Sequence, residues 1–170
     1  QTTNRRFIKD GKVFPDLVFS FDGDYANFHE HFENVELSAP LVFDPTIYWQ
    51  CLESWLGPLV LMLVHPANAW IEEKLGVKFS GVNSGPSISN TLFDFALKIK
   101  ANPIIFVGQD LAYSSGDRYH VSGTHVTEKW DSDITLEKQL CIVKGQHGET
   151  LLSNFSMLTY HHWFEEFIRV

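Results

Sequence analysis

Short apolar runs that end in a polar residue recur along the chain. PDLVFSFD at Pro15–Asp22 is apolar until its carboxyl end, and APLVFD at Ala39–Asp44 repeats that pattern. Leu59–Val64 is a third apolar run, and PIIFVGQ at Pro103–Gln109 is a fourth. Such runs predict buried strands, because a strand that is covered on both faces needs no alternation of polar and apolar positions.

Helical patterns lie between these predicted strands. Asp24 is placed to cap a helix over Tyr25–Glu33, and Pro45 predicts the first turn of a helix that ends near Leu56. Further helices are predicted at Thr2–Asp10, Pro66–Leu75 and Pro86–Lys100, the last with an apolar stripe of Ile88, Leu92, Phe95, Ala96 and Ile99. Because parallel strands need crossover helices, the alternation predicts an α/β, Rossmann-like three-layer domain with a mainly parallel sheet.

The carboxyl-terminal part has a different pattern. Gln139–Lys144 and Glu149–Ser153 flank a glycine-bounded turn and predict a hairpin. Ser153 or Asn154 then caps a last helix, which carries Phe155, Leu158, His162 and Phe167. The 170 residues contain no internal repeat and predict one domain. Because the chain opens on Gln1 without a preceding strand, we expect a fragment of a longer protein that lacks the first strand of its sheet.

Charge and composition exclude several classes of function. The formal net charge is -8 and no Lys/Arg-rich run offsets it, so nucleic acid is excluded as a partner. The longest apolar run, near Pro58–Val64, is too short to span a membrane, and we expect a cytoplasmic protein. Cys51 and Cys141 lie in apolar patterns and are interpreted as small buried hydrophobes without a redox role.

A serine-rich helix start is the first candidate binding segment. Ligands of open parallel sheets bind beyond the carboxyl ends of the strands, where helix amino termini converge. The segment SGPSIS contributes Ser84, Gly85, Ser87 and Ser89, whose hydroxyls and backbone N–H groups suit a phosphate. An ordinary capped helix start is the competing interpretation. The segment lacks the Gly-Lys-Ser/Thr ending of a Walker loop.

The second candidate segment follows the fourth predicted strand. Gly108 and Gln109 lie at its exit, and Asp110 suits ribose hydroxyls or a base amine, although a strand-end aspartate is equally typical of a cap or turn. The long polar stretch that follows offers groups for leaving-phosphate stabilisation and proton transfer, namely Tyr113, Arg118, Tyr119 and His120.

A metal site is the rival interpretation of this stretch. His120 and His125 with Asp117 match no firm ligand pattern, so no metal site is predicted there. We also expect the other close histidine pairs to lie on helix surfaces, because their spacing does not direct two imidazoles at one ion; these pairs are His29 with His31 and His161 with His162.

One string is specific enough to suggest a family. NPIIFVGQDLAYSSGDRYH at Asn102–His120, with GQDLAY at its centre, resembles the motility-associated factor (Maf) flagellin glycosyltransferases and the wider family that includes archaeal 6-hydroxymethylpterin diphosphokinases. PDLVFSFD, SGPSIS and GETLLSNFSML occur in the same order as in that family. Two features depart from it. The glycine-rich GxGPSL turn has no counterpart before Gln1, and Arg118-Tyr119 precede His120, which leaves the general base open.

The resemblance implies transfer of a CMP-activated nonulosonic acid, a sialic-acid-like sugar, to Ser or Thr hydroxyls of a protein such as flagellin. It implies that the donor nucleotide lies among Asp22, Ser87, Gly108, Gln109 and Asp110. By similarity to sialyltransferases, Tyr113 and Tyr119 would donate to the leaving phosphate. His120, a group that titrates near neutrality, is the residue that we expect to take the acceptor proton. The alternatives are an ATP-dependent 6-hydroxymethylpterin diphosphokinase, with magnesium on Asp22 and Asp24, and a catalytically silent nucleotide-binding domain. No other cofactor is implied.

Overall fold

The computed structural model describes residues 14–65, 68–78, 81–113 and 140–168. The predicted helix at Thr2–Asp10 lies outside these residues. In chain order the elements are β1 (Val18–Ser20), α1 (Tyr25–Asn27) continued by a π-helix (Phe28–Phe32), β2 (Leu41–Phe43), α2 (Trp49–Glu53), β3 (Leu59–Leu61), α3 (Asn68–Leu75), α4 (Ile88–Lys98), β4 (Cys141–Lys144), β5 (Thr150–Ser153) and α5 (Phe155–Ile168).

The first three strands form one parallel sheet in the order β1-β2-β3. In its register, Val18 lies opposite Leu41, and Leu41 lies opposite Leu59. β2 and β3 are each reached through a helical crossover, which is why neighbouring strands run in the same direction. The α/β class with a parallel sheet is therefore confirmed, and the strands are shorter than the apolar runs that predicted them.

Helices pack on both faces of this sheet. Val18 and Leu41 face an apolar cluster with Phe32 and Cys51. Phe19, the next residue of β1, contacts Phe95 of α4 with ring centroids 5.0 Å apart. Because successive strand residues point to opposite faces, α1 and α2 cover one side and α4 covers the other. This arrangement gives the three predicted layers.

The helix predicted from Pro45 begins later than expected. Residues 45–48 form a turn, and α2 starts at Trp49. The carboxylate of Asp44 accepts the backbone N–H of Thr46, and the Asp44 carbonyl accepts the N–H of Ile47. This aspartate-centred turn competes with the first helical turn that proline alone would favour. Asp24, in contrast, caps α1 as predicted, since its side chain accepts the N–H of Ala26.

The strand predicted at Pro103–Gln109 is wrong. This segment has no strand pairing, and Ile105 and Val107 are 77% and 85% exposed. Phe106 instead packs against Phe93 of α4 and Phe164 of α5, with centroids 5.3 and 5.0 Å away. The left-handed φ of +71° at Gly108 then turns the chain away from an extended path.

The stripe predicted for α4 is confirmed in part, because Phe95 packs on Phe19 of β1, but other positions of the long helices are more deeply buried. In α4 the buried residues are Asn90, Thr91, Phe93 and Asp94, whereas Ile99, just beyond its end, is 57% exposed. In α5 the buried residues are Met157 and Phe164, whereas Phe155 is 71% exposed. Polar side chains occupy the buried face of α4 because each of them has a hydrogen-bonding partner there, as described below.

The predicted carboxyl-terminal hairpin and helix are confirmed. β4 and β5 pair antiparallel, with Cys141 opposite Ser153. Asn154 begins α5 by accepting the N–H of Met157 on its side-chain oxygen at 2.9 Å. Among the residues described, no helix has both the length and the apolar character needed to cross a membrane.

Candidate functional site

Asp44 lies at the carboxyl edge of the sheet and connects the ends of two strands. It is fully buried. Its Oδ1 accepts the N–H of Thr46 at 3.0 Å, while Oδ2 accepts the N–H groups of Val64 and His65, which follow β3, at 2.9 and 3.3 Å. The hydroxyl of Thr46 lies 2.9 Å from Asp44 and 3.0 Å from the carbonyl of Phe21, after β1. Asp44 is thus a structural residue that joins the strand ends.

Asp22 is exposed at the same edge. Its Oδ1 accepts the N–H of Asp24 at 2.9 Å, and its carbonyl accepts the buried amide of Asn27 at 2.9 Å. Asn27 also bonds the hydroxyl of Ser20. This arrangement fixes the turn after β1 and leaves the carboxylate of Asp22 at the surface.

Cys51 lies beneath this turn, 3.8 Å from the amide nitrogen of Asn27. Burial, aided by the charge of Asp22, raises the pKa of the Cys51 thiol to about 12. A thiol with that pKa stays protonated at neutral pH and is a poor nucleophile. Cys51 therefore matches its interpretation as a buried hydrophobe, and Cys141 is half-buried in β4.

The start of α4 is a closed capping box. Ser87 accepts the N–H of Asn90 on its hydroxyl, and the Asn90 side-chain oxygen accepts the N–H of Ser87 at 3.1 Å and its hydroxyl at 2.6 Å. Ser89 lies 2.9 Å from the Ser87 hydroxyl. The competing interpretation of this segment as a capped helix start is thus correct for Ser87. The cap uses the N–H of Asn90 and does not involve the first-turn N–H groups of Ile88 and Ser89.

Gly85 is packed tightly before this cap. Its N–H donates to the hydroxyl of Thr91 at 3.1 Å, and a Cβ at Gly85 would overlap the side chain of Asn90. Glycine is therefore required by close packing against the helix. Ser84 is exposed, and its hydroxyl makes only a long contact of 3.5 Å with the carbonyl of Gly85.

Asp94 attaches the segment before α4 to the helix. Its carboxylate accepts the N–H of Asn83 at 2.7 Å, the side-chain amide of Asn83 at 3.1 Å and the Lys98 ammonium at 2.6 Å. Burial alone would raise the pKa of Asp94, but the hydrogen bonds from Lys98 and Asn83 outweigh it and lower the pKa below its ordinary value. Asp94 is therefore a charged anchor that holds the candidate phosphate segment in place.

The second candidate segment, Gly108–Tyr113, is attached to the hairpin. The carbonyl of Leu111, whose φ is +52°, accepts the hydroxyl of Ser153 at 2.8 Å. The N–H of Tyr113 donates to Leu152 at 2.7 Å, and its buried phenol accepts the amide of Asn154 at 3.1 Å. Asp110 is exposed, as is Gly108, whereas Gln109 is half-buried.

Both candidate segments contact helix α5. Asn90, at the start of α4, donates its amide to the carbonyl of Tyr160 at 3.2 Å, and Tyr113 is held by Asn154 at the start of α5. Six residues separate Asn154 from Tyr160, which corresponds to about 9 Å along a helix axis. Both segments are therefore attached to α5, at contact points six positions apart in sequence.

Several predicted residues fall outside the described part of the chain. These are Arg118, Tyr119 and His120, together with Asp117 and His125 of the rival metal interpretation. Conversely, sequence reasoning missed the buried polar residues Asn90, Thr91, Asp94 and Ser153. The signal was present for α4 in the run of polar residues inside a helical pattern, where a polar residue on the buried face implies a partner.

Comparison with known proteins gives one match. The model of the family described as 6-hydroxymethylpterin diphosphokinase MptE-like matches residues 3–116. The match covers well over half of the chain and confirms the resemblance to the wider family. It is compatible with a transferase-like domain and equally with a kinase-like one. No curated protein and no solved structure matches the chain.

Proposed function

Because the chain belongs to the 6-hydroxymethylpterin diphosphokinase MptE-like family, we propose that it binds the phosphate of an activated nucleotide at the start of α4 and transfers a group from it. The proposed donor is a CMP-linked nonulosonic acid, and the proposed acceptor is a Ser or Thr hydroxyl of a protein such as flagellin. The family match supports nucleotide-dependent transfer. The GQDLAY string at Gly108–Tyr113 supports the sugar and the protein acceptor.

The observation that carries the proposal is the rigid first turn of α4. The Ser87–Asn90 cap fixes the turn, and Asn90 attaches it to α5. Free N–H groups and the positive end of the helix dipole favour an anion at this position, so a phosphate can bind here without a lysine. The hydroxyl of Ser89 supplies a further donor, and Gly85 permits the chain to pass close to the helix.

The second segment supplies the remaining proposed contacts. Asp110 is exposed and would orient the ribose or the base of the donor. Tyr113, whose phenol oxygen accepts the side-chain amide of Asn154, would donate to the leaving phosphate. Gly108 and Gln109 would contact the nucleotide at the same position. Asp22 would approach it from the sheet edge.

The proposed transfer is a substitution at the anomeric carbon of the sugar. The acceptor oxygen forms a bond to that carbon, the bond from the carbon to the phosphate oxygen breaks, and CMP leaves with the bonding electrons. His120 takes the acceptor proton, while Tyr119 and Arg118 stabilise the charge on the departing phosphate. These three assignments are predictions from the sequence.

A second candidate is ATP-dependent 6-hydroxymethylpterin diphosphokinase activity, which the description of the family favours. That chemistry uses magnesium held by carboxylates. Asp22 and Asp24 are exposed and lie two positions apart in sequence, and Oδ1 of each accepts a backbone N–H. Oδ2 of each is then the proposed magnesium ligand. A catalytically silent nucleotide-binding domain is the non-enzymatic alternative.

Thermal-shift measurements on the 170-residue chain distinguish these functions. We expect CMP at about 100 times its dissociation constant to raise the melting temperature by about 5–10 °C, with CDP, UDP, ADP and ATP compared with and without magnesium. A response to ATP that requires magnesium would favour the diphosphokinase. Binding of CMP without product from any CMP-sugar would favour the silent domain, and the absence of any nucleotide response would contradict all three.

A charge substitution tests the α4 site directly. Ser89→Asp places a carboxylate in the first turn of α4, where the helix dipole tolerates it but a phosphate is repelled. We expect this variant to fold and to lose the nucleotide shift. Ser156→Asp is the matched control, because Ser156 occupies the same second position of α5 and is exposed. If nucleotide shifts the melting temperature of the two variants equally, the phosphate does not bind at the start of α4.

A further inference from the structure

Three side chains on the exposed face of α5 bring their donor atoms together. His161 Nδ1 lies 3.8 Å from Glu165 Oε2, and His162 Nδ1 lies 3.4 Å from the same oxygen. One donor atom from each of the three residues lies within 4.8 Å of the other two. The histidine side chains are 53% and 71% exposed and the glutamate 41%, so an ion can reach them from solvent.

This geometry differs from the expectation for adjacent histidines. Two neighbouring positions on a helix point about 100° apart, which by itself separates their rings. Glu165 lies one turn later, at i+4 from His161 and at i+3 from His162, and its carboxylate reaches both rings. Glu165 therefore forms a group of three donor atoms with His161 and His162.

The separations suit a small borderline metal ion. Zinc binds His nitrogen and carboxylate oxygen at about 2.0–2.2 Å, so two ligands of a tetrahedral ion lie about 3.3–3.6 Å apart. The two measured separations, 3.4 and 3.8 Å, are close to that value. Two histidines and one glutamate are also a ligand set that zinc uses with a fourth position left open. Magnesium and calcium prefer ligand sets built from oxygen.

The helix backbone under the three side chains is anchored. Phe164 is buried against Phe93 of α4 and Phe106, with centroids 5.8 and 5.0 Å away. The carbonyl of Tyr160, directly before His161, accepts the amide of Asn90. These contacts fix the backbone of α5 beneath the site, so ion binding has to order only the three side chains.

We propose that His161, His162 and Glu165 form a surface binding site for a divalent transition metal of the zinc type, with one coordination position open to water or to a further ligand. Within the described residues, no second group of three such side chains has its donor atoms this close. The site is separate from the proposed nucleotide contacts, although Tyr160 connects its helix to the start of α4.

Zinc titration of the whole 170-residue chain tests the proposal, with calorimetry or competition against a chromogenic chelator as the readout. We expect one zinc ion per chain and saturable binding. The His161→Ala/His162→Ala double variant should bind at least about 10-fold more weakly, since removing even an outer partner of a metal site costs about 10- to 100-fold. Glu165→Gln should also weaken binding, because it removes the charge and keeps the shape.

The chain offers a matched control on the π-helix. His29 Nδ1 lies 2.6 Å from Glu33, with the same i,i+4 spacing as His161 and Glu165, and His31 is close by in sequence. The His29→Ala/His31→Ala double variant should keep native zinc affinity, and so should Cys141→Ser. Circular dichroism of each variant checks that the fold is retained.

Two results would overturn the proposal. One is a native zinc affinity in the His161→Ala/His162→Ala variant with an intact fold. The other is an equal loss of affinity in the His29→Ala/His31→Ala control, which would show nonspecific binding by surface imidazoles. Magnesium at the same concentration should not displace zinc from this site, because magnesium prefers ligand sets built from oxygen. Nucleotide binding is measured separately, so either proposal can fail without the other.

Discussion

The sheet and the α4–α5 region contain different kinds of buried residue. Within the sheet and the helices beside it, Leu41 and Cys51 are completely buried, and they belong to one apolar cluster. In the region of α4, the hairpin and α5, the most deeply buried side chains are polar, namely Asn90, Thr91 and Ser153. The first region is held together mainly by apolar burial, with the buried Asp44 at its edge. In the second region, hydrogen bonds between segments that are distant in sequence add to the packing of Phe93, Phe106 and Phe164.

Because of this difference, the first region mainly determines the stability of the protein, and the second determines the positions of the candidate binding segments. Apolar burial is roughly proportional to area and has little directionality, so it tolerates small shifts. Hydrogen bonds require defined distances and angles, and a buried polar group that loses its partner is costly. The α4–α5 region carries the two candidate binding segments, and its polar contacts hold them in defined positions. Substitutions in the sheet should therefore reduce stability, while substitutions around Asn90 should also displace the site.

The largest expected loss of stability comes from a substitution in the sheet. Leu41→Ala removes a completely buried side chain and should lower the free energy of unfolding by about 3–4 kcal/mol. Leu59→Ala is the matched control, because Leu59 pairs with Leu41 in the sheet and is 48% exposed, so the loss should be less than half as large. Urea denaturation measures both. Equal losses would show that β3 is buried in solution and would weaken the contrast between the two regions.

A smaller loss is expected from the start of α4. Asn90→Ala breaks the capping box and the bond to the Tyr160 carbonyl, and it should cost about 2–3 kcal/mol. It should also reduce any nucleotide-induced thermal shift. Ser84→Ala serves as the control, since Ser84 is exposed and makes only a long contact, and it should change stability by less than about 0.5 kcal/mol. Should Asn90→Ala unfold no more easily than Ser84→Ala, the polar network would not stabilise this region.

The smallest expected loss of stability comes from a substitution of Asp94, and it depends on pH. Asp94→Asn weakens the bonds to Lys98 and Asn83 and should cost about 1.5 kcal/mol near pH 6. The pKa of Asp94 is lowered in the folded chain, so its contribution is complete above its ordinary pKa of about 3.9 and is lost as the pH falls through the lowered value.

Unfolding curves of the Asp94→Asn variant and the unmodified chain, recorded over a range of pH, measure this contribution. The difference between them should shrink on acidification below about pH 4. A difference that stays constant to low pH would exclude ionisation of Asp94 as its cause.

The sequence predicted the sheet well because its signal is local. Each of the first three strands lies inside an apolar run, and Asp24 caps α1 as its position before a helical pattern suggested. The run at Pro103–Gln109 carried the same signal and forms no strand, because Phe106 packs between α4 and α5 and Gly108 adopts a left-handed conformation. Those causes lie in tertiary contacts that a local pattern does not contain.

The candidate site was predictable to a lesser degree. The Ser87 cap follows from its neighbours, and the segment could be selected from sequence by its serines and glycine. The bond from Asn90 to Tyr160 joins residues 70 positions apart, and the bond from Ser153 to Leu111 joins residues 42 apart. Neither follows from periodicity or capping rules. The residues that hold the site together were therefore the ones that sequence reasoning missed.

The hydrogen bonds of Asp44 couple the segments that follow the three strands at the carboxyl edge of the sheet. The Asp44 carboxylate accepts a backbone N–H of the segment after β3. It also bonds the hydroxyl of Thr46, which lies within hydrogen-bond distance of the Phe21 carbonyl after β1. A displacement of His65 by an incoming molecule would therefore be transmitted to Phe21 through the two short, hydrogen-bonded side chains of Asp44 and Thr46. Separate loops at this edge would instead respond one at a time.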